Sequence, residues 1–227
     1  MISPRFALVS ILALASAVPS FAEGTWKLVA NHLHSSAGGD SHWSRGIKHI
    51  REFCAENKID HGILTDHDTI AGWFDPAFMG VHGAILLRGQ EWTSPEGHAN
   101  LVEFSASGPE GVIKPEVSGD YDGFAPPPRP DTVAIDHAKM IRNVHARGGL
   151  VFINHPALRG YRWPDDTFGA DACEVNGTWE NPSGANAKAW YARRLMAGQR
   201  LGAVGGSDYH YLRPKRRGFF TPDIEKP

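Results

Sequence analysis

Cysteine is nearly absent from this chain, with Cys54 and Cys173 the only two in 227 residues. Two cysteines cannot build a disulfide framework, a four-thiolate zinc site or an iron–sulfur centre. Both lie in apolar segments, which favours buried thiols, although an oxidising compartment would allow them to pair. An excess of charge of one sign is also missing. Lys and Arg number 23 against 25 Asp and Glu, a net charge of −2. Nothing in that balance offers a bulk surface for nucleic acid, and no stable nucleic-acid partner is expected. There is no internal repeat, no His-rich tract, and no low-complexity segment beyond Ala125-Pro-Pro-Pro-Arg-Pro130. Long apolar runs are lacking too, apart from Phe6 to Val18, which is too short to span a bilayer.

That run follows Arg5 and precedes Ser20-Phe21-Ala22, with small residues at −3 and −1 of a cut after Ala22. The pattern predicts a secretory signal peptide over 1–22, with an uncleaved N-terminal anchor as the rival reading. The expectation is an exported protein, periplasmic or secreted, with no membrane association once the leader is removed. Residues 23–227 are long enough for one domain with a sizeable core, and no shift in composition divides them.

What the chain has in abundance is histidine, twelve in all. Two of them, His32 and His34, follow a short apolar run, Trp26 to Ala30, that reads as a strand. On extended backbone, side chains at i and i+2 point the same way, so both imidazoles can enter one cavity. Alone, a His-x-His pair is more often just a solvated strand face, and its meaning depends on further ligands. The rest of the pattern alternates. A helix capped by Ser44 is predicted to about Asn57, with Ile47, Ile50, Phe53 and Cys54 at helical spacing. Strands are predicted at His61–Thr65, Ala84–Leu87, Ala99–Phe104, Leu150–Asn154, Ala172–Val175 and Leu201–Val204. Helices are predicted from Asp131 to Arg147 and from Ala185 to Ala197. Residues 105–130, rich in Gly and Pro, read as a surface excursion able to act as a lid.

Alternating strands and helices indicate an α/β class with mainly parallel strands, and in a β/α barrel the C-terminal strand ends converge on one face. It is at those ends that His32, His34, Asp40, Asp66, His67, Glu91, His98, His155, Asp208 and His210 fall. Asp208-x-His210 repeats the i, i+2 logic of the first pair. Imidazoles with carboxylates and no thiolates suit Zn, Mn or Fe. His49, His61, His82, His137 and His145 match no such position and read as structural or solvated.

The order His-x-His, Thr-Asp-His, Gly-x-Glu with a later His, His-Pro, and Ser-Asp-x-His resembles the polymerase-and-histidinol-phosphatase (PHP) superfamily, from about Trp26 to Tyr211. Gly89-Gln-Glu-Trp-Thr, Gly97-His98-Ala-Asn100 and Ala203-Val-Gly-Gly-Ser-Asp208 look most like its exported branch related to carbaryl hydrolase. The resemblance implies a distorted (β/α)7 barrel holding up to three divalent ions, Zn, Mn or Fe. It implies His32 and His34 on a first ion, with Glu91 bridging. His67, His98 and His155 would complete further ions, and Asp208 and His210 would close the site. One more ligand falls on Asp40 or, the Gly38-Gly39 loop leaving register open, on His42. Asp66 is expected to orient a ligating imidazole rather than to bind metal.

Three dications bring about +6, and Asp40, Glu91 and Asp208 return about −3, a balance matched to a phosphate group. The leading expectation is therefore a phosphoesterase using metal-activated hydroxide, with a small-molecule or phosphoester substrate. Arg159 and Arg162, just past His155-Pro156, are candidates for phosphate contact or simply cover the loop. Carboxyl or carbamate ester hydrolysis on the same metals is the alternative, and a non-catalytic periplasmic metal-binding protein is the third reading. Oligomeric state is left open by the sequence.

Overall fold

The computed structural model describes residues 26–38, 44–80, 83–108, 111–114, 135–158, 163–176 and 185–210. The expected leader, Asp40, His42, Arg159, Arg162 and the run Ala125–Pro130 lie outside the described residues.

Seven strands form one sheet in sequence order: β1 Val29–Leu33, β2 His61–Leu64, β3 Ile85–Ser94, β4 Gly97–Val102, β5 Leu150–Asn154, β6 Ala172–Asn176 and β7 Gly202–Gly205. The sheet curls into a barrel-like form. Past its last strand, an isolated parallel bridge joins Leu33 to Tyr209. His34 N–H donates to the Tyr209 carbonyl at 3.0 Å, and Tyr209 N–H donates to the His32 carbonyl at 3.1 Å.

The sheet is mainly parallel, as the alternation suggested, with one strand, β4, running against its neighbours. β3–β4 and β4–β5 pair antiparallel, while the other neighbours run parallel. The cause is a connection of only Pro95 and Glu96 between paired Ser94 and Gly97. Two residues allow a hairpin but no parallel crossover. β3 also extends to Ser94, well past the apolar run Ala84–Leu87, because its later polar residues face a polar interior. β1 starts three residues later than its apolar run, so His32 sits inside the strand.

Among the described residues three α-helices cover the sheet: α1 Ile47–Glu56, α2 His137–Ala146 and α3 Ala185–Met196. In α1 the buried residues are Ile47, Ile50, Arg51 and Cys54, and in α2 His137, Met140, Ile141 and Val144. Both sets follow i, i+3, i+4, i+7, a stripe that one helix face can bury. The N-cap of α1 is Gly46, without a side-chain cap, so Ser44 does not take that place. Asp136 caps α2 by accepting from Lys139 N–H at 2.8 Å. Gly148, at φ +78°, ends α2 in the left-handed conformation a side chain would resist.

The core runs through Leu33, Ile50, Leu64, Leu101, Ile141 and Ile153. The start of the 105–130 excursion belongs to it, because Ile113 is buried and its backbone pairs with the Gln90 side-chain amide. Cys54 and Cys173 are buried thiols, not joined in a disulfide. No described helix is long and apolar enough to cross a membrane.

Candidate metal centre

Each site residue is delivered by a strand or by the first residues beyond one. Along β1, His32 and His34 bracket the buried Leu33, and their ring centroids are 5.0 Å apart. Just past β2, His67 forms an isolated bridge with Glu91 of β3. The β3–β4 hairpin pairs Glu91 with Asn100 and Thr93 with His98. Residues paired across a ladder share a face, so all four side chains point into the barrel. His155 follows β5, and Asp208 and His210 follow β7.

Glu91 is the hub. Its carboxylate is fully buried, with imidazole nitrogens of His67, His98 and His32 at 2.9, 3.1 and 3.2 Å, and of His34 and His155 each at 3.5 Å. Asn154 Nδ2 donates to it at 2.7 Å and to Asn100 Oδ1 at 2.8 Å. A second focus is Asp208 Oδ1, 3.2 Å from His34 Nε2, 3.3 Å from His32 Nε2 and 3.5 Å from His210 Nδ1. His34 and His210 stack at 4.1 Å between centroids.

Backbone strain marks the same places. Asp68, His155 and Asp208 have φ of +45°, +26° and +47°. Left-handed non-glycine residues are uncommon, and of six among the described residues these three lie at the cluster, the others being Lys58, Glu103 and Phe168. Asp68 is tied in by Thr93 N–H at 3.0 Å, and burial pushes its carboxyl up to about 7.

The electrostatics call for positive charge. Burial alone would raise Glu91, but His67, His32 and His98 hold it well below the usual carboxylate range. Burial likewise opposes charge on His32, yet Glu91, Asp208 and Glu174 raise it well above an ordinary histidine. His32 Nε2 and Glu91 Oε2 are buried without a hydrogen bond among the described residues. Nitrogen and oxygen lone pairs crowded this closely need a cation between them, either a proton or a metal ion. Imidazoles and carboxylates are a donor set that divalent metals accept. Three triads have ligand atoms close enough together to hold an ion: His32–His34–Glu91, His67–Glu91–His98 and His34–His67–His210. They overlap, sharing His34, His67 and Glu91 between them.

The structure thus gathers His32, His34, His67, Glu91, His98, His155, Asp208 and His210 around one centre. The Asp66 carboxylate accepts the Ser35 N–H and, at 2.7 Å, the Ser35 hydroxyl. It fixes the chain one residue beyond His34. Thr93, Asn100, Asn154 and Glu174 went unrecognised in the sequence, where the last three read as polar residues within strands and Thr93 lies past the predicted strand Ala84–Leu87. For Glu174 one signal existed: a carboxylate in the otherwise apolar run Ala172-Cys-Glu-Val175.

No family model matches this chain, and no curated protein does either. Solved structures do. One is a candidate metal-dependent phosphoesterase of Bifidobacterium adolescentis, 15% identical with TM-score 0.58, covering 85% of this chain and 91% of its own. Another is an amidohydrolase of Chromobacterium violaceum with bound sulfate and no metal, 16% identical with TM-score 0.53, covering 80% of this chain and 87% of its own. At such identities the likeness is one of fold.

Proposed function

We propose that this chain is a metal-dependent hydrolase of PHP type, acting first on phosphoesters. The observation that carries the reading is Glu91, one buried carboxylate with five imidazoles within 3.5 Å. His32, His34 and Asp208 would hold one ion, His67 and His98 another, and His34, His67 and His210 bound a third position, with Glu91 shared. Bound Zn, Mn or Fe would supply Lewis acidity and water that is acidic near neutral pH. The protein's own part is to fix these donors in place. Asn154 and Asn100 orient Glu91, and Thr93 Oγ1 lies 2.7 Å from His67 Nδ1. Glu91, Asp208 and Glu174 offset only about half the charge of three dications, which leaves the centre attractive to a phosphate. The fold likeness to a candidate phosphoesterase supports the same class.

Amide or carboxyl-ester hydrolysis on the same metals is the second reading, favoured by the fold likeness to an amidohydrolase. Membership of the exported, carbaryl-hydrolase-like branch, removal of 1–22 and a periplasmic or secreted location belong to this proposal, as does a small-molecule substrate. The test is a panel on protein loaded with Mn, Zn or Fe: p-nitrophenyl phosphate, bis-p-nitrophenyl phosphate and p-nitrophenyl acetate. Turnover of the phosphate esters is expected. Turnover of the acetate alone would replace the phosphoesterase reading with the ester one, and tight metal without any turnover would leave a binding protein.

A further inference from the structure

Glu174 sits in β6, buried at 1% exposure, on the side of His32 away from Glu91. Its Oε1 lies 2.8 Å from His32 Nδ1 and its Oε2 accepts the His155 backbone N–H at 3.0 Å. A carboxylate only accepts, so His32 must carry its proton on Nδ1, which leaves the Nε2 lone pair aimed at Glu91 and Asp208. The second bond holds the backbone of His155 at its left-handed φ of +26°. One carboxylate on β6 therefore sets the tautomer of an imidazole from β1 and the backbone of an imidazole from β5.

Room for it comes from the residue just past β7. A Cβ on Gly206 would overlap the Glu174 carboxylate, and the backbone there does not have a positive φ. The absence of a side chain at 206 serves the carboxylate, not the local conformation. Ser207 Oγ donates to the His32 carbonyl at 2.9 Å, tying the same segment to β1.

We propose that Glu174, seated against Gly206, is the positioning residue that makes His32 a metal ligand. The proposal rests on the metal-centre reading above. Carboxylates that take the far N–H of a ligating imidazole fix its orientation, and their loss typically weakens metal binding by about 10–100-fold. A glutamine at 174 cannot accept from both His32 and His155. If its amide faces His32, it forces the proton onto Nε2.

Three variants test this by metal titration, elemental analysis, and nitrogen–proton NMR of the His32 ring. E174Q is expected to keep its fold by circular dichroism, bind Zn about 10–100-fold more weakly, and lose the Nδ1–H signal that wild type shows. G206A leaves every metal donor intact and should weaken Zn comparably by displacing the carboxylate. In an E174A background the same Gly206→Ala change should cost little, since the obstacle is gone. Wild-type Zn affinity in both E174Q and G206A would overturn the role of Glu174 while leaving the metal centre standing. A wild-type protein that takes up no Zn, Mn or Fe would overturn the metal centre, and with it this proposal. Should E174Q fail to fold, the comparison of G206A with G206A/E174A decides.

Discussion

Glu91 is where the chemistry of single residues is concentrated, because five imidazoles approach one buried carboxylate. Glu91→Gln keeps the shape but puts an NH2 donor among nitrogens that need an acceptor or a shared cation. Metal content after dialysis should fall at least about tenfold, with hydrolysis following it, while circular dichroism stays unchanged. Full metal content in E91Q would mean that the ions sit elsewhere. The ends of this cluster were legible in the sequence. His32 with His34, and Asp208 with His210, follow from the period of two along extended chain, and His67 and His155 from their places directly after apolar strands. Glu174 was not legible, because its role depends on a partner 142 positions away and on a glycine that makes room. The bonds from Ser35 to Asp66 were not legible either, since Ser35 announces nothing in the sequence.

At the scale of elements, local periodicity located the helices well and the hairpin poorly. α1 and α2 each carry an unbroken i, i+3, i+4, i+7 stripe, whereas β3 and β4 could not be told from successive parallel strands until their two-residue turn was considered. α2 also carries His137, one of the histidines read as structural or solvated, and it is structural. It is buried among Trp163, Trp92 and Phe168, at 4.6, 5.5 and 5.5 Å between centroids. Burial pushes it down to about 4, against smaller opposing effects from the Ile135 backbone and Asp136. The folded protein therefore keeps His137 neutral while the unfolded chain would bind a proton below about pH 6.5. Its contribution to stability is complete above that pH and is lost as pH falls from about 6.5 towards 4. Urea unfolding across this window should show a loss of roughly 1–3 kcal/mol, part of which His137→Phe removes. His98, also pushed down to about 4 by burial, supplies a further part in metal-free protein. An unchanged slope in H137F would show that His137 is not held neutral. At the start of the same helix, Asp136→Ala should cost about 1 kcal/mol through loss of the cap.

For the whole molecule, the candidate metal donors come from β1, β3 and β4, and from the residues just after β1, β2, β5 and β7, so an ion bound among them would join segments nearly 180 residues apart in sequence. The seam between β1 and the chain beyond β7 is also held by the Leu33–Tyr209 bridge, by the Ser207 hydroxyl on the His32 carbonyl and by Tyr209 stacked on Phe53 of α1 at 3.8 Å. The unfolded chain has no such converged set of donors, so metal binding free energy becomes folding free energy. With free metal about 100-fold above its dissociation constant, the gain is about 2.7 kcal/mol. For a domain of this size that corresponds to a melting temperature higher by on the order of 5–10 °C. A chelator should lower the melting temperature by that amount, and added Zn or Mn should restore it in proportion to the logarithm of its free concentration. E91Q should respond to neither treatment. The apo protein should still fold, because the apolar core of Leu33, Ile50, Leu101 and Ile153 is independent of the cluster. If wild type melts at the same temperature with chelator as with metal, the imidazoles and carboxylates are held by protons alone, and the centre is a buried ion-pair network and not a metal site.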